Sequence, residues 1–385
     1  SRPRPPGGSP ASTAATADGS VAAASSRDTG HMSQVEMPPA PACAFASDNA
    51  AGAHPAVLEA LVRANGGHAL AYGSDRWTAE AEARFRDLFG SHATPLLAWN
   101  GTGANVLALA TMIRPADMVL CSRWAHIAGD ETGAPERILG SKLQTLPSAD
   151  GKIVPDQLLA LVHYIGDQHH AQPGVVSITQ STELGALYTA DEIAALCDTA
   201  HRLGMKVHLD GARIANATAA LGGTVEALRS FTVDAGVDAV SFGGTKAGMA
   251  FGEAVVLLDP SLAARAPFIR KQVTQLPSKM RFVAAQFNAL LDDDLWIRLA
   301  EHANRLATRL YEATKDIPKV SYDAAPQVNS VFPILPAEVV EPLQDWCFFW
   351  PWDPADAQVR WMASFATTSD DVATFAAGLG HLLDG

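Results

Sequence analysis

Two kinds of apolar pattern alternate along the chain from residue 55 onward. In PAVLEALVRAN (55–65), Val57, Leu58, Leu61 and Val62 recur at helical spacing. A second helix is predicted over 78–89, with Thr78 as its N-cap and Gly90 beyond its end. Short unbroken apolar runs follow: TPLLAWN (94–100), MVLCS (118–122), VVSITQ (175–180), KVHLD (206–210), VDAVSF (237–242) and EAVVLLD (253–259). Each predicts a strand buried on both faces. GTGANVLALATMI and DEIAALCDTAHRLGM (191–205) predict helices among them. Strands alternating with helices predict an α/β fold, a mostly parallel sheet sandwiched by helices. In such sheets ligands bind beyond the carboxyl ends of the strands. Asn100 to Thr102, Asp210, and Ser241 to Lys246 fall at or just after such ends, so they are expected to face one crevice.

From 262 to 315 the pattern is mainly helical. SVFPILP (330–336), CFFWPW (347–352) and VRWMASF (359–365) then predict strands, and DDVATFAAGLGHLL predicts the last helix. The expected organisation is an arm over 37–54, a large domain over 55–290 and a smaller C-terminal α+β domain over 291–385, with CFFWPW in the small domain's core. No internal repeat is visible. Residues 1–36 are rich in Ala, Ser, Gly and Pro, lack apolar periodicity and carry a Gly-His-Met junction at 30–32. They read as an appended, disordered tag, not a signal or transit peptide.

Composition narrows the function. The 385 residues are 48% hydrophobic and 18% charged, enough for a large core and two domains. A formal net charge of -13 argues against nucleic acid or an anionic membrane as partner. No apolar run reaches the roughly 18 residues of a membrane span. Cys43, Cys121, Cys197 and Cys347 lie far apart, with no CxxC pair; they suit a reducing cytoplasm and offer no metal site or disulfide framework. His169 and His170, in QHHAQ, fit a polar loop better than a metal site.

The candidate chemistry lies at the strand ends. Lys246 stands in SFGGTKAG, where its small neighbours leave room for a planar ligand; the alternative is a surface lysine in a turn. Asp210 is either a helix N-cap or a carboxylate that pairs with a protonated ring nitrogen. NGTGAN (100–105) opens a helix and can cradle one phosphate, but it is neither GxGxxG nor a P-loop. Amine, acid and phosphate cradle at successive strand ends form the set that pyridoxal 5'-phosphate (PLP) requires. Lys279 is a rival amine, but it follows Pro-Ser and no buried strand.

SITQSTELGALYTADEIAALC, HLDGARIANA and SFGGTKAG resemble the low-specificity L-threonine aldolase family of PLP enzymes, which have the aminotransferase-like fold type I architecture. FASDNAAGAHP, YGSDRWT, GTGAN, HIAGDETGAPERILGSKL and VRWMASFATT resemble it too, in the same order, from about Phe45 to about Asp370. The resemblance implies a retro-aldol lyase that converts β-hydroxy-α-amino acids such as threonine or phenylserine to glycine and an aldehyde. It implies that Lys246 carries PLP, that Asp210 pairs with the ring nitrogen, and that Gly101 and Thr102 bind the phosphate. His126 would stack on the ring and serve as base. Arg213 would contact the cofactor or the substrate carboxylate, and Ser47 and Arg360 would hold that carboxylate. A homotetramer is implied, a dimer of dimers, in which Lys279 and Arg281 reach across subunits. SDNAAGAHP and STELG depart from the family's common versions and point to a divergent bacterial subgroup. The rival readings are another PLP lyase that β-eliminates serine-like substrates, an aminotransferase, or a hydrolase; the last is disfavoured because no GxSxG elbow exists.

Overall fold

The computed structural model describes residues 37–353 and 357–384, so the expectation for residues 1–36 lies outside the described residues. Seven strands form the main sheet: β1 (Thr94–Ala98), β2 (Asp117–Ser122), β3 (Lys142–Leu146), β4 (Gln172–Thr179), β5 (Lys206–Gly211), β6 (Ala239–Gly243) and β7 (Glu253–Leu257). Their order is β1-β7-β6-β5-β4-β2-β3. Only β7 runs against the others, pairing antiparallel with both β1 and β6.

The strands are apolar without alternation because both sheet faces are covered. Along β2, Met118 and Leu120 enter one core while Val119 and Cys121 enter the other. The helix Gly101–Met112 packs on the second of these faces and is itself almost wholly apolar. On the first face Phe242 packs edge-on to Phe85 and Phe287 and tilts against Trp296, at 5.0–6.2 Å between centroids across this group. A buried ring of this kind is worth about 3–5 kcal/mol on truncation to alanine. It fixes the carboxyl end of β6, where the lysine turn begins.

A second sheet holds β8 (Ser321–Tyr322), β9 (Ser330–Val331), β10 (Pro333–Ile334), β11 (Trp350–Asp353) and β12 (Gln358–Met362). Its core gathers Phe45, Leu306, Phe349, Trp361 and Phe375. Phe45 comes from the chain's described amino end, and its carbonyl accepts from Met362 N at 2.9 Å. Among the described residues no helix is long and apolar enough to cross a membrane.

Several local expectations need correction. The helix expected from Thr78 starts at Arg76, because Asp75 is the cap: its Oδ1 accepts from Thr78 N at 2.9 Å. In the helix Pro55–Ala64, Val57, Ala60 and Ala64 are buried, while Leu58 and Val62 are exposed. CFFWPW is core only at alternate positions: Cys347 and Phe349 are buried, Phe348 and Trp350 exposed. The strand expected over 330–336 is broken into two short pieces by its prolines.

Candidate active site

β5 ends at Asp210 and Gly211. A Cβ on Gly211 would lie 2.6 Å from the Ser241 carbonyl, so only glycine lets the two strands end this close together. The Asp210 carboxylate is 4% exposed. Its Oδ1 accepts from Ala212 N (2.9 Å) and its Oδ2 from Asn105 Nδ2 (2.8 Å). It therefore caps a turn; the next helix, Ile214–Ala220, is preceded by Arg213. The Asn105 amide also donates to Glu131 Oε1 at 3.0 Å, and the same oxygen meets His126 Nδ1 at 2.9 Å. A polar chain thus runs from His126 through Glu131 and Asn105 to Asp210. The Glu131 contact raises the His126 pKa, since it favours the protonated ring.

Past β6 the chain makes a tight turn, Thr245–Ala247, and closes it with Gly248 at φ 118°. The small neighbours of Lys246 have a reason other than ligand space. A Cβ on Gly243 would meet the Ala212 carbonyl at 2.4 Å, and one on Gly244 the Gly252 carbonyl at 2.5 Å. Glu253 Oε2 accepts from Gly244 N at 2.6 Å and so ties the turn to β7. Burial pushes the Glu253 carboxyl up to about 7. Burial, and then the Arg213 cation, hold the Lys246 amine below the ordinary lysine range. Arg213 is itself gripped by Asp48, with Nε to Oδ2 at 2.7 Å and Nη2 to Oδ1 at 3.0 Å. Asn329 Nδ2 donates to the same carboxylate at 3.2 Å. Burial opposes the charge on Asp48, yet Arg213 and Lys246 keep its pKa low.

The helix Gly101–Met112 supplies the third component. Asn100 Oδ1 accepts from Gly103 N at 2.7 Å, and the first intrahelical bond runs from Ala104 N to Asn100 O. The amides of Gly101 and Thr102 precede that bond and sit at the positive end of the helix dipole. Apart from its chain neighbours and its own helix backbone, no atom of the described residues lies within 4 Å of where a Gly101 Cβ would be.

Lys246, Asp210, Gly101, Thr102, His126 and Arg213 line one cavity of about 290 Å³. Ser47, Arg360, Lys279 and Arg281 lie outside that lining. Ser47 Oγ accepts from Asn49 N at 3.1 Å and contacts Asp48 Oδ1 at 3.3 Å. The Arg360 guanidinium lies 4.8 Å over the Trp352 ring, and its Nε is buried with no hydrogen-bond partner among the described residues. Burial, then Arg213, push its pKa down to about 10. Lys279 is exposed, and Arg281 lies against Trp77 and Phe282.

Five polar groups of the site were not singled out from the sequence: Asp48, Asn105, Glu131, Glu183 and Glu253. Four stand inside motifs already noted, in FASDN, NGTGAN, HIAGDE and STELG. Glu183 Oε1 accepts from His126 N and from Thr179 Oγ1, both at 2.9 Å. Its Oε2 is buried without a partner among the described residues. Burial, and then the nearby Asp210 charge, push its pKa up to about 7.

Comparison with known proteins gives this geometry a context. Residues 44–337 match the family model described as β-eliminating lyase. A low specificity L-threonine aldolase from a Pseudomonas species is 41% identical over 334 residues, covering 83% of this chain and 96% of that protein. One from Pseudomonas aeruginosa is 43% identical over 308 residues, covering 79% and 88%. Among solved structures, a threonine aldolase from Leishmania major superposes with a TM-score of 0.80 at 29% identity, covering 88% of this chain and 98% of that one. The architecture is thus the aminotransferase-like fold type I, and enzymes of this kind depend on pyridoxal phosphate. The chain belongs to the β-eliminating lyase family, alongside the low-specificity L-threonine aldolases.

Proposed function

We propose that this protein is a PLP-dependent aldehyde-lyase that reversibly cleaves L-threonine, L-allo-threonine and related β-hydroxy-α-amino acids, phenylserine among them, to glycine and an aldehyde. The observation that carries this reading is the convergence of Lys246, Asp210 and the Gly101–Thr102 amides on one cavity.

The residues present fit the cofactor. The open space at Gly101 sits against two helix-end amides, which suit a phosphate. Asp210, fixed by two donors, suits a protonated ring nitrogen, and Lys246 suits the cofactor's aldehyde. When bound, pyridoxal phosphate supplies an electron sink for the α-carbon of an amino acid.

The chain's own groups supply the rest. The lowered pKa of Lys246, set by burial and then by the Arg213 cation, favours the neutral, nucleophilic form of its amine. His126 donates Nδ1–H to the Glu131 carboxylate, which leaves the Nε2 lone pair to accept the β-hydroxyl proton. Two nitrogens of Arg213 are committed to Asp48, so Arg360 is the better holder of the substrate carboxylate, with Ser47 assisting. Lys279 and Arg281, outside the cavity, are assigned to subunit contacts in a dimer of dimers. Four free cysteines accord with a reducing cytoplasm.

Lys246→Ala is expected to give a colourless protein that releases no aldehyde from threonine. A Lys246→Ala protein that still carries borohydride-reducible, covalently bound PLP would reject the lysine assignment. The family model's description also favours a second reading, β-elimination. Products separate the two: glycine and an aldehyde from threonine for the first, pyruvate and ammonia from serine for the second.

A further inference from the structure

We infer that Glu183 is a neutral carboxylic acid whose Oε2–H is the hydrogen-bond donor this cavity offers to an anionic oxygen of its bound cofactor; the inference rests on the PLP reading above.

Geometry settles which oxygen carries the proton. Oε1 receives two donors, His126 N and Thr179 Oγ1, both at 2.9 Å. If the group is an acid, the oxygen that takes two N–H or O–H groups is its carbonyl oxygen, and the proton sits on the other. Oε2 is buried and has no donor among the described residues. An ionised carboxylate would strand its charge there, whereas the acid form gains an O–H to give.

The surrounding charges point the same way. Asp210, on the neighbouring strand, repels a second negative charge. Arg213 is the nearby fixed cation, and Asp48 already holds it through two nitrogens. His126 touches Glu183 through its backbone amide, while its ring is turned to Glu131. Cys121 and Tyr188, the other titratable groups that sense Glu183, are buried and held neutral by desolvation. Burial accordingly raises the acid's pKa to about 7.

Function supplies a reason for neutrality. Glu131, Glu183, Asp210 and Glu253 all line a cavity that is to receive a phosphorylated anion. Four ionised carboxylates would oppose that anion; a neutral Glu183 removes one and replaces it with a donor. Asp210 keeps the charge that a ring nitrogen needs.

The test compares wild-type holoenzyme with Glu183→Gln, which stays neutral and keeps a donor, and with Glu183→Leu, which has none. Infrared difference spectra between pH 6 and pH 9 are expected to show a protonated-carboxyl C=O stretch in the wild type that loses the Glu183 share in Glu183→Gln and keeps that of Glu253. PLP affinity at pH 6 is expected to fall by less than about threefold in Glu183→Gln and by about tenfold or more in Glu183→Leu. The wild-type affinity is expected to fall as pH rises through 7, and that of Glu183→Gln to fall less. An unchanged carboxyl band in Glu183→Gln, or equal PLP affinity for Gln and Leu variants, overturns the inference. A wild-type protein that takes up no PLP overturns the cofactor reading instead, and the infrared band still decides whether Glu183 holds its proton.

Discussion

Asp238, at the amino end of β6, and Glu183, beyond the carboxyl end of β4, both place a carboxyl group in the protein interior, and their surroundings differ in one respect. Asp238 accepts from Val207 N at 2.7 Å, meets His201 Nε2 at 2.8 Å and pairs with Lys206 Nζ at 3.0 Å. Lys206 goes on to Asp259 at 2.6 Å, so that end of the sheet is a closed network. At the opposite end, Glu183 Oε2, Glu131 Oε2 and Asn105 Oδ1 are all buried without partners among the described residues. A saturated acid ties strands together. An unsaturated one costs stability and keeps a polar atom in reserve for something else. The amino and carboxyl ends of the strands in one sheet divide the work of holding the fold and meeting a ligand.

The comparison can be broken by substitution. The largest effect is expected at the unsaturated end: Asp210→Asn should retain bound PLP yet lower aldehyde release by about 100- to 1,000-fold, because the electrostatic support for the ring nitrogen is gone. Steady-state kinetics with threonine checks this, and near-normal turnover would remove Asp210 from the chemistry. At the saturated end, Asp238→Ala should leave kcat within about twofold. It should lower unfolding free energy by about 1–3 kcal/mol, since Val207 N loses its buried acceptor. Denaturant unfolding followed alongside the activity assay separates the two results.

The smallest effect is a slope against pH. Glu183 has its folded pKa raised from 4.5 to about 7, so the native state holds a proton that the unfolded chain gives up. Stability of the cofactor-free protein should therefore fall as pH rises between about 4.5 and 7, by at most about 1.4 kcal/mol per pH unit for this one proton. Glu183→Gln should flatten that slope by one proton's share, leaving the similar share of Glu253. Asp259 has the opposite sign: its pKa is lowered through Lys206, so its contribution is present above the usual carboxylate range and fades on acidification. Thermal melts across pH 4 to 8 would expose an error in either sign.

Much of this was legible in the sequence, for identifiable reasons. All six predicted strands of the main sheet exist because burial on both faces writes an unbroken apolar run. β3, KLQTL, was not read, since at the sheet edge only Leu146 of its five residues is buried, and polar positions leave no such run. In the smaller sheet, strands of two residues interrupted by proline carry almost no periodicity. Lys246, Asp210, Gly101 and Thr102 were legible because each follows a strand end or opens a helix, and chain order brings such places together; His126 and Arg213, which line the same cavity, were expected only from the family resemblance. Asn105 was missed because an asparagine inside an apolar helix signals nothing until its two partners, 26 and 105 residues away, are in view. Glu253 was missed because its role depends on β7 running backwards, a direction no local pattern encodes.

That reversal has a practical corollary. Because β7 returns beside β6, the segment from Gly244 to Gly252 is a loop pinned at both feet, with Glu253 clasping Gly244 across the gap. It has no slack. An insertion there would shift the amine of Lys246 directly. Surface loops elsewhere, such as the exposed Gly166–His170 stretch, are where added sequence can be grafted without reaching the chemistry.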